Sequence, residues 1–185
     1  MNGEDEQLLL DYARRGEVKS LSALVTRTSR PLMAYLRGMS PSDADAEDAF
    51  QECWMRVIRS CGSYRGGSVR AYLMRTARSV VIDRFRRRGA PTVSIDAEEA
   101  DGLESRLAAE SPTPDRACER AANAAAVREA VRALPERQRE VLLLRIEGEL
   151  PFKEIAVQMG IPLGTALTWM HAATKKLKGM LGGQR

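Results

Sequence analysis

The chain has 185 residues, 44% hydrophobic and 29% charged, with a formal net charge of +4. That length suffices for one ordinary domain or two small ones, and no apolar run approaches the roughly 20 residues a membrane span needs. Three cysteines without a CxxC pair and a single histidine, His171, argue against a zinc site and for free thiols.

The N-terminal stretch MNGEDEQLLL is acidic, unlike the basic start of a signal peptide, so cytoplasmic residence is expected. Strand-like alternation is almost absent and Gly and Pro fall between periodic segments, which predicts an all-α fold of two small helical domains. Residues 1–88 form the first. Residues 89–112, acidic and punctuated by Pro and Gly, read as a flexible linker, and residues 113–185 form the second. Thr113 and Pro114 suit an N-cap and first helical residue.

A helix is predicted over 44–59. Ala46, Ala49, Phe50, Cys53, Trp54, Val57 and Ile58 recur at helical spacing on one stripe. Asp45, Asp48, Glu52, Arg56 and Arg59 occupy another face, read from pattern alone as solvated, with Glu52 and Arg56 as an i,i+4 pair. Asp43, Asp45 and Glu47 alternate as in a calcium loop. However, the EF-hand glycine would fall on Asp48 and the closing glutamate on Trp54, so the match fails.

The next helix, 68–87, has Ser68 as its cap and Val69, Leu73, Ala77, Val80, Val81 and Phe85 as its core stripe. From Arg65 to Arg88 eight arginines face a single acid, Asp83. Cations at a helix C-terminus suit the dipole, but four arginines among residues 84–88 exceed that need and favour phosphates or acidic partners. Tyr64, Arg65 and Tyr72 place rings beside positive charge, a combination that suits unstacked bases.

In the second block, helices are predicted over about 114–133, from Pro135 to near Gly148, over PFKEIAVQM, and from Pro162 onward. Ala156 and Gly160 sit where a helix-turn-helix needs a small contact residue and a turn.

The stretch DAEDAFQECWMRVIRSCGSYRGGSVRAYLMRTARSVVIDRFRRR (45–88) closely resembles the second conserved region of bacterial sigma factors. LPERQREVLLLRIEGELPFKEIAVQMGIPLGT (134–165) resembles their fourth. The order, separation and short linker resemble the extracytoplasmic-function (ECF) type. The resemblance implies a sigma factor that binds core RNA polymerase, directs it to promoters and nucleates −10 melting. It implies no catalytic residue and no cofactor. Asp45, Asp48, Gln51, Glu52, Arg56 and Arg59 would meet the clamp helices of the largest polymerase subunit. The loop 61–67 would capture a flipped base. Tyr64, Arg65, Ser68, Arg70, Tyr72, Arg75, Arg78 and Ser79 would hold the melted strand, and Arg84, Arg86, Arg87 and Arg88 the upstream duplex. The fourth region would meet the −35 element and the flap of the second-largest subunit.

One segment departs from the family. Recognition helices of this type commonly carry Lys and Arg where this chain has Leu167, Trp169, Ala172 and Thr174. The −35 candidates are therefore Lys153, Thr165, Leu167, Thr168, Trp169, His171, Lys175 and Lys176. Leu167, Trp169 and Met170 could instead form an apolar patch for a protein such as an anti-sigma factor, and Trp169 could equally belong to the core. A stand-alone helix-turn-helix regulator is the main rival, although it would have no use for residues 45–88. An enzyme using Asp48 and Glu52 is the weaker rival, since no histidine or phosphate-cradling loop accompanies them.

Overall fold

The computed structural model describes residues 2–88 and 116–182, with side chains for 3–88 and 124–181. Every regular element in these ranges is helical. They are α1 (Asn2–Arg15), α2 (Val18–Met39), α3 (Asp43–Ser60), a 3-10 turn at Cys61–Ser63, α4 (Val69–Arg87), α5 (Arg116–Arg132), α6 (Glu136–Ile146), α7 (Phe152–Met159) and α8 (Leu163–Gly182). The expected linker, 89–112, and the Thr113–Pro114 cap lie outside the described residues. None of the described helices is long and apolar enough to cross a membrane.

Local chemistry fixes the helix ends. Ser42 Oγ accepts from the Asp45 amide at 3.1 Å, while Asp43 and Asp45 suit the positive end of α3. Ser68 caps α4 by accepting from the Ala71 amide at 3.2 Å. Gly160 closes α7 at φ +68°, where its amide and that of Ile161 return to the last carbonyls of the helix. Pro162 then supplies the carbonyl that accepts the first amides of α8.

Burial follows the predicted stripes. Ala46, Ala49, Cys53, Trp54 and Val57 are buried on α3, with Phe50 and Ile58 half-buried at its edges. Val69, Leu73, Ala77, Val80 and Val81 are buried on α4. Together with Leu9 of α1 and Leu24, Leu32, Tyr35 and Leu36 of α2 they form one core.

That core does not stop at the first block. It continues through Val141, Leu143 and Leu144 of α6, then Leu150, and on to Ile155 and Met159 of α7. The seam is tight where side chains are smallest. A Cβ added at Gly38 would lie 2.5 Å from Leu143 Cδ1, and one at Gly148 would lie 3.2 Å from Met74 Cγ. The two blocks therefore pack on each other, which helical periodicity alone does not show. A second cluster of Leu134, Leu142 and Ala173 ties α6 and α8 to the end of α5.

Tyr35 is fully buried, and its hydroxyl has no hydrogen-bond partner. Burial pushes its phenol well above the ordinary range. Removing an unsatisfied buried hydroxyl while keeping the ring should stabilise the chain by about 1 kcal/mol. Urea denaturation of Tyr35→Phe should show a higher midpoint at unchanged slope.

Candidate nucleic-acid interface

The acidic face of α3 is a charge lattice shared with α4. The Glu52 carboxylate accepts from Arg56 at 2.6 Å and from Arg84 Nε at 3.0 Å. Arg56 also reaches Asp83 at 2.7 Å and Ser79 Oγ at 3.2 Å. Arg84 approaches Asp48 at 3.8 Å, and Arg88 pairs with Asp45. Burial alone would push the Glu52 carboxyl up, but the hydrogen bonds from Arg56 and Arg84 outweigh it and hold it below its ordinary value. The Arg88 hydrogen bond, helped by Ser42, holds Asp45 low. The face read from pattern as solvated is thus only partly so: Asp48 and Arg59 are exposed, whereas Asp45, Glu52 and Arg56 are half-buried in the lattice; Gln51, a candidate through the resemblance, is exposed.

Beyond α3 the chain turns at Cys61–Ser63 and passes through Gly66 (φ +97°) and Gly67 (φ +105°), a region that favours glycine. Two internal hydrogen bonds and one with α1 fix the loop. Tyr64 donates its hydroxyl to the Gly67 carbonyl at 2.6 Å, the Gly67 amide donates to Glu6 of α1 at 3.2 Å, and Arg65 donates to the Gly62 carbonyl at 3.2 Å. The Tyr64 and Tyr72 rings lie 5.4 Å apart, tilted by 57°, and the Tyr72 hydroxyl is 2.7 Å from Ser60 Oγ. The two rings face each other as well as the surface.

The loop and α4 border a cleft of about 580 Å³ whose other wall is α7. Tyr64, Arg65, Tyr72 and Arg75 line one side, and Lys153 and Gln158 the other. Arg65, Arg75 and Lys153 are exposed and form no ion pair among the described residues. Lys153, grouped by sequence with the −35 candidates, thus stands opposite the −10 candidates.

The arginines of α4 divide. Arg75, Arg86 and Arg87 are exposed, and none has an ion-pair partner among the described residues. Arg84 and Arg88 belong to the lattice. Arg70 pairs with Glu149, and Arg78 Nε lies 2.7 Å from Glu140 Oε1. The Glu140 side chain is 5% exposed, and burial pushes its carboxyl up against the pull of Arg78. Sequence reasoning singled out neither Glu140 nor Glu149. One signal was present: Glu140 lies three and four residues before Leu143 and Leu144, on the buried stripe of α6.

On α8, Gly164, Leu167, Thr168, His171 and Lys175 recur along one exposed face, with Lys176 beside it. Thr168 Oγ1 donates to the Gly164 carbonyl at 2.9 Å, which leaves its lone pairs outward. Thr165 is half-buried. Trp169 and Met170 are half-buried against the core, so Leu167, Trp169 and Met170 do not form one surface patch, and Trp169 is a packing residue.

Two family models match the chain: sigma-70 region 2 at residues 24–90 and sigma-70 region 4 at 124–177. The ECF RNA polymerase sigma factor SigE of Mycolicibacterium smegmatis is 33% identical over 144 residues, 77% of this chain and 54% of the relative, so the match spans about half that protein's length. The ECF RNA polymerase sigma-E factor of Escherichia coli is 30% identical over 178 residues, covering 93% of this chain and 92% of the relative. The solved structure of CnrH with the cytosolic domain of CnrY superposes with a TM-score of 0.68 at 20% identity, covering 98% and 99% of the two chains. The sigma factor RpoE bound to the anti-sigma factor NepR from Bartonella quintana gives 0.66 at 20% identity, covering 90% and 99%. At that identity the two structures establish a common fold.

Arg56 bridges two carboxylates, so its loss leaves Glu52 and Asp83 short of a partner. We expect Arg56→Ala to cost about 2 kcal/mol at pH 7, below the value for a fully buried pair because the site is partly solvated. The lowered Glu52 pKa means that the stabilisation is present above the unfolded carboxylate value, about 4.3, and is lost as pH falls through the folded value. Urea midpoints of wild type and variant should therefore converge at acidic pH.

Proposed function

The chain belongs to the sigma-70 family, in its ECF branch, and from that premise we propose how its surfaces share the work of an RNA polymerase initiation factor. In this reading the chain binds core polymerase, brings it to a promoter and opens the −10 element. The phosphodiester chemistry belongs to the polymerase, and this chain contributes binding energy and no reacting group. Its place of action is that of its polymerase, the cytoplasm.

The observation that carries the reading is the pair of exposed cations, Arg65 on the loop and Arg75 on α4, which form no ion pair among the described residues and stand beside the Tyr64–Tyr72 rings. Cations hold the phosphates of a melted strand, and rings and pockets hold its unstacked bases. Trapping a flipped base offsets a few kcal/mol of stacking and pairing. Arg86 and Arg87, at the exposed end of α4, take the upstream duplex. Asp48, Gln51 and Arg59 form the face that meets the polymerase clamp, and the Glu52–Arg56–Arg84 lattice beneath them sets its shape.

The outer face of α8 takes the −35 element. Thr168 and His171 hydrogen-bond base edges or phosphates, Leu167 meets a thymine methyl, and Lys175 and Lys176 hold phosphates. A protein partner at the same face, such as an anti-sigma factor, is the second reading, favoured by exposed Leu163 and Leu167.

Two outcomes test this assignment. Replacing Arg65 and Arg75 together by alanine should reduce open-complex formation at least tenfold, read by permanganate reactivity of −10 thymines. The affinity for core polymerase, titrated with a fluorescent chain, should stay within about twofold, because two exposed cations outside the clamp face contribute little there. Loss of core binding would overturn the map. Second, the few lysines near α8 should give duplex −35 binding a shallow salt dependence, a log–log slope no steeper than about −4 at about 0.9 per phosphate contact. A slope near −8 would place unrecognised arginines on the duplex.

A further inference from the structure

We propose that Glu6 of α1 is a positioning residue for promoter opening: it holds the Gly67 backbone, and with it the Tyr64 ring, in the form that receives an unstacked base. The inference rests on the assignment of the loop 61–67 to a flipped base and adds which residue outside that loop sets its shape.

α1 lies wholly outside residues 24–90, the stretch matched by sigma-70 region 2. Its three consecutive acids nevertheless divide their work. Glu4 and Asp5 take Nη2 and Nε of Arg27 on α2, each at 2.7 Å, and together with the fully buried Leu9 they anchor the helix. Glu6, half-buried, pairs with no cation among the described residues. Its Oε1 instead accepts from the Gly67 amide at 3.2 Å, 61 residues along the chain. A Cβ added at Gly66 would stand 3.1 Å from the same oxygen, so the loop backbone comes this close because position 66 carries no side chain.

The loop needs such a hold. Gly66 (φ +97°) and Gly67 (φ +105°) adopt conformations open to glycine, and glycine loses more freedom on ordering than any other residue. An acceptor at the Gly67 amide and a donor at its carbonyl fix that residue at both ends. The donor is the Tyr64 hydroxyl, at 2.6 Å. Burial, and then the charge of Glu6, raise the Tyr64 phenol above its ordinary value, so the hydroxyl keeps the proton it donates. This sets the Tyr64 ring 5.4 Å from that of Tyr72, on the wall of the cleft. Because the loop is ordered before a base arrives, binding does not bear the ordering cost, and the fit of the base decides which nucleotide is held. Glu6 touches no base in this role. It acts through the backbone, where a neutral acceptor would serve as well.

The test uses holoenzyme assembled with the full chain. Glu6→Ala removes the acceptor, whereas Glu6→Gln keeps an oxygen at the same reach and drops the charge. Alanine is the best helix former, and Leu9 and Arg27 still anchor α1, so both variants should fold, which circular dichroism and thermal melting check. Each holoenzyme is offered a pool of short single strands randomised in sequence, and the bound fraction is sequenced. Wild type should show a position of strong base preference. In Glu6→Ala the ratio of best to worst base at that position should fall about fivefold, while preferences elsewhere in the strand stay within about twofold. Glu6→Gln should retain the wild-type ratios. An unchanged ratio in Glu6→Ala, or equal weakening at every position, would overturn the proposal. So would loss of the preference in Glu6→Gln, since the effect would then follow the charge and not the accepted hydrogen bond. A wild type with no base preference at any position would instead refute the flipped-base assignment itself, and the proposal with it.

Discussion

A buried guanidinium needs a partner at all times, and much of this molecule follows from how that need is met on α4. Taking a charge out of water costs several kcal/mol unless an opposite charge with good geometry replaces the solvent. Arg78 meets the requirement with Glu140, and Arg84 with Glu52. Neither pair is strong evidence of added stability over an apolar alternative, but each fixes a register. Glu52 and Arg56 hold α3 against α4 at one azimuth, and Glu140 holds α6 against α4 at another. The apolar seam between them, Leu143 on Gly38 and Gly148 on Met74, supplies non-directional attraction, and the ion pairs select one docking among many.

The same logic sorts the basic cluster. Arginines facing protein are paired, whereas Arg65, Arg75, Arg86 and Arg87 remain in solvent without ion pairs among the described residues. Their mutual repulsion is tolerable because water screens it over about 8 Å at physiological salt. It becomes favourable when a polyanion releases its counterions on binding. The paired set organises the helices, and under the proposed assignment the exposed set holds the ligand. A mutation scan that treated all eight arginines alike would mix folding defects with binding defects.

Much of the helical architecture could be read from the sequence because it is local. The stripe from Ala46 to Ile58, the Ser68 cap and the Gly160 turn each depend on neighbours within a few residues. The acidic face of α3 is only partly legible for the opposite reason. Glu52 and Arg56 do form the i,i+4 pair, but their burial comes from Arg84 and Asp83, about 30 residues away. Likewise Arg78 and Glu140 are 62 residues apart, and no periodicity links such positions. Trp169 posed a different problem. A large residue one position from the exposed Leu167–His171 row can fall on either side of the boundary, and only the packing of α8 on the core turns it inward.

The low charge of α8 takes on a meaning beside the basic end of α4. Promoter affinity is a sum over both blocks, whereas discrimination at each element depends on the local fit. If, as proposed, Arg65, Arg75, Arg86 and Arg87 attract the promoter, the face of Leu167, Thr168 and His171 needs few cations of its own. Contacts through a methyl, a hydroxyl and an imidazole are short-ranged and weak singly, so under the proposed assignment they would distinguish base pairs without adding much sequence-independent hold. Electrostatic affinity concentrated in the first block and shape-based reading in the second would make −35 recognition depend on prior anchoring through polymerase and the −10 strand.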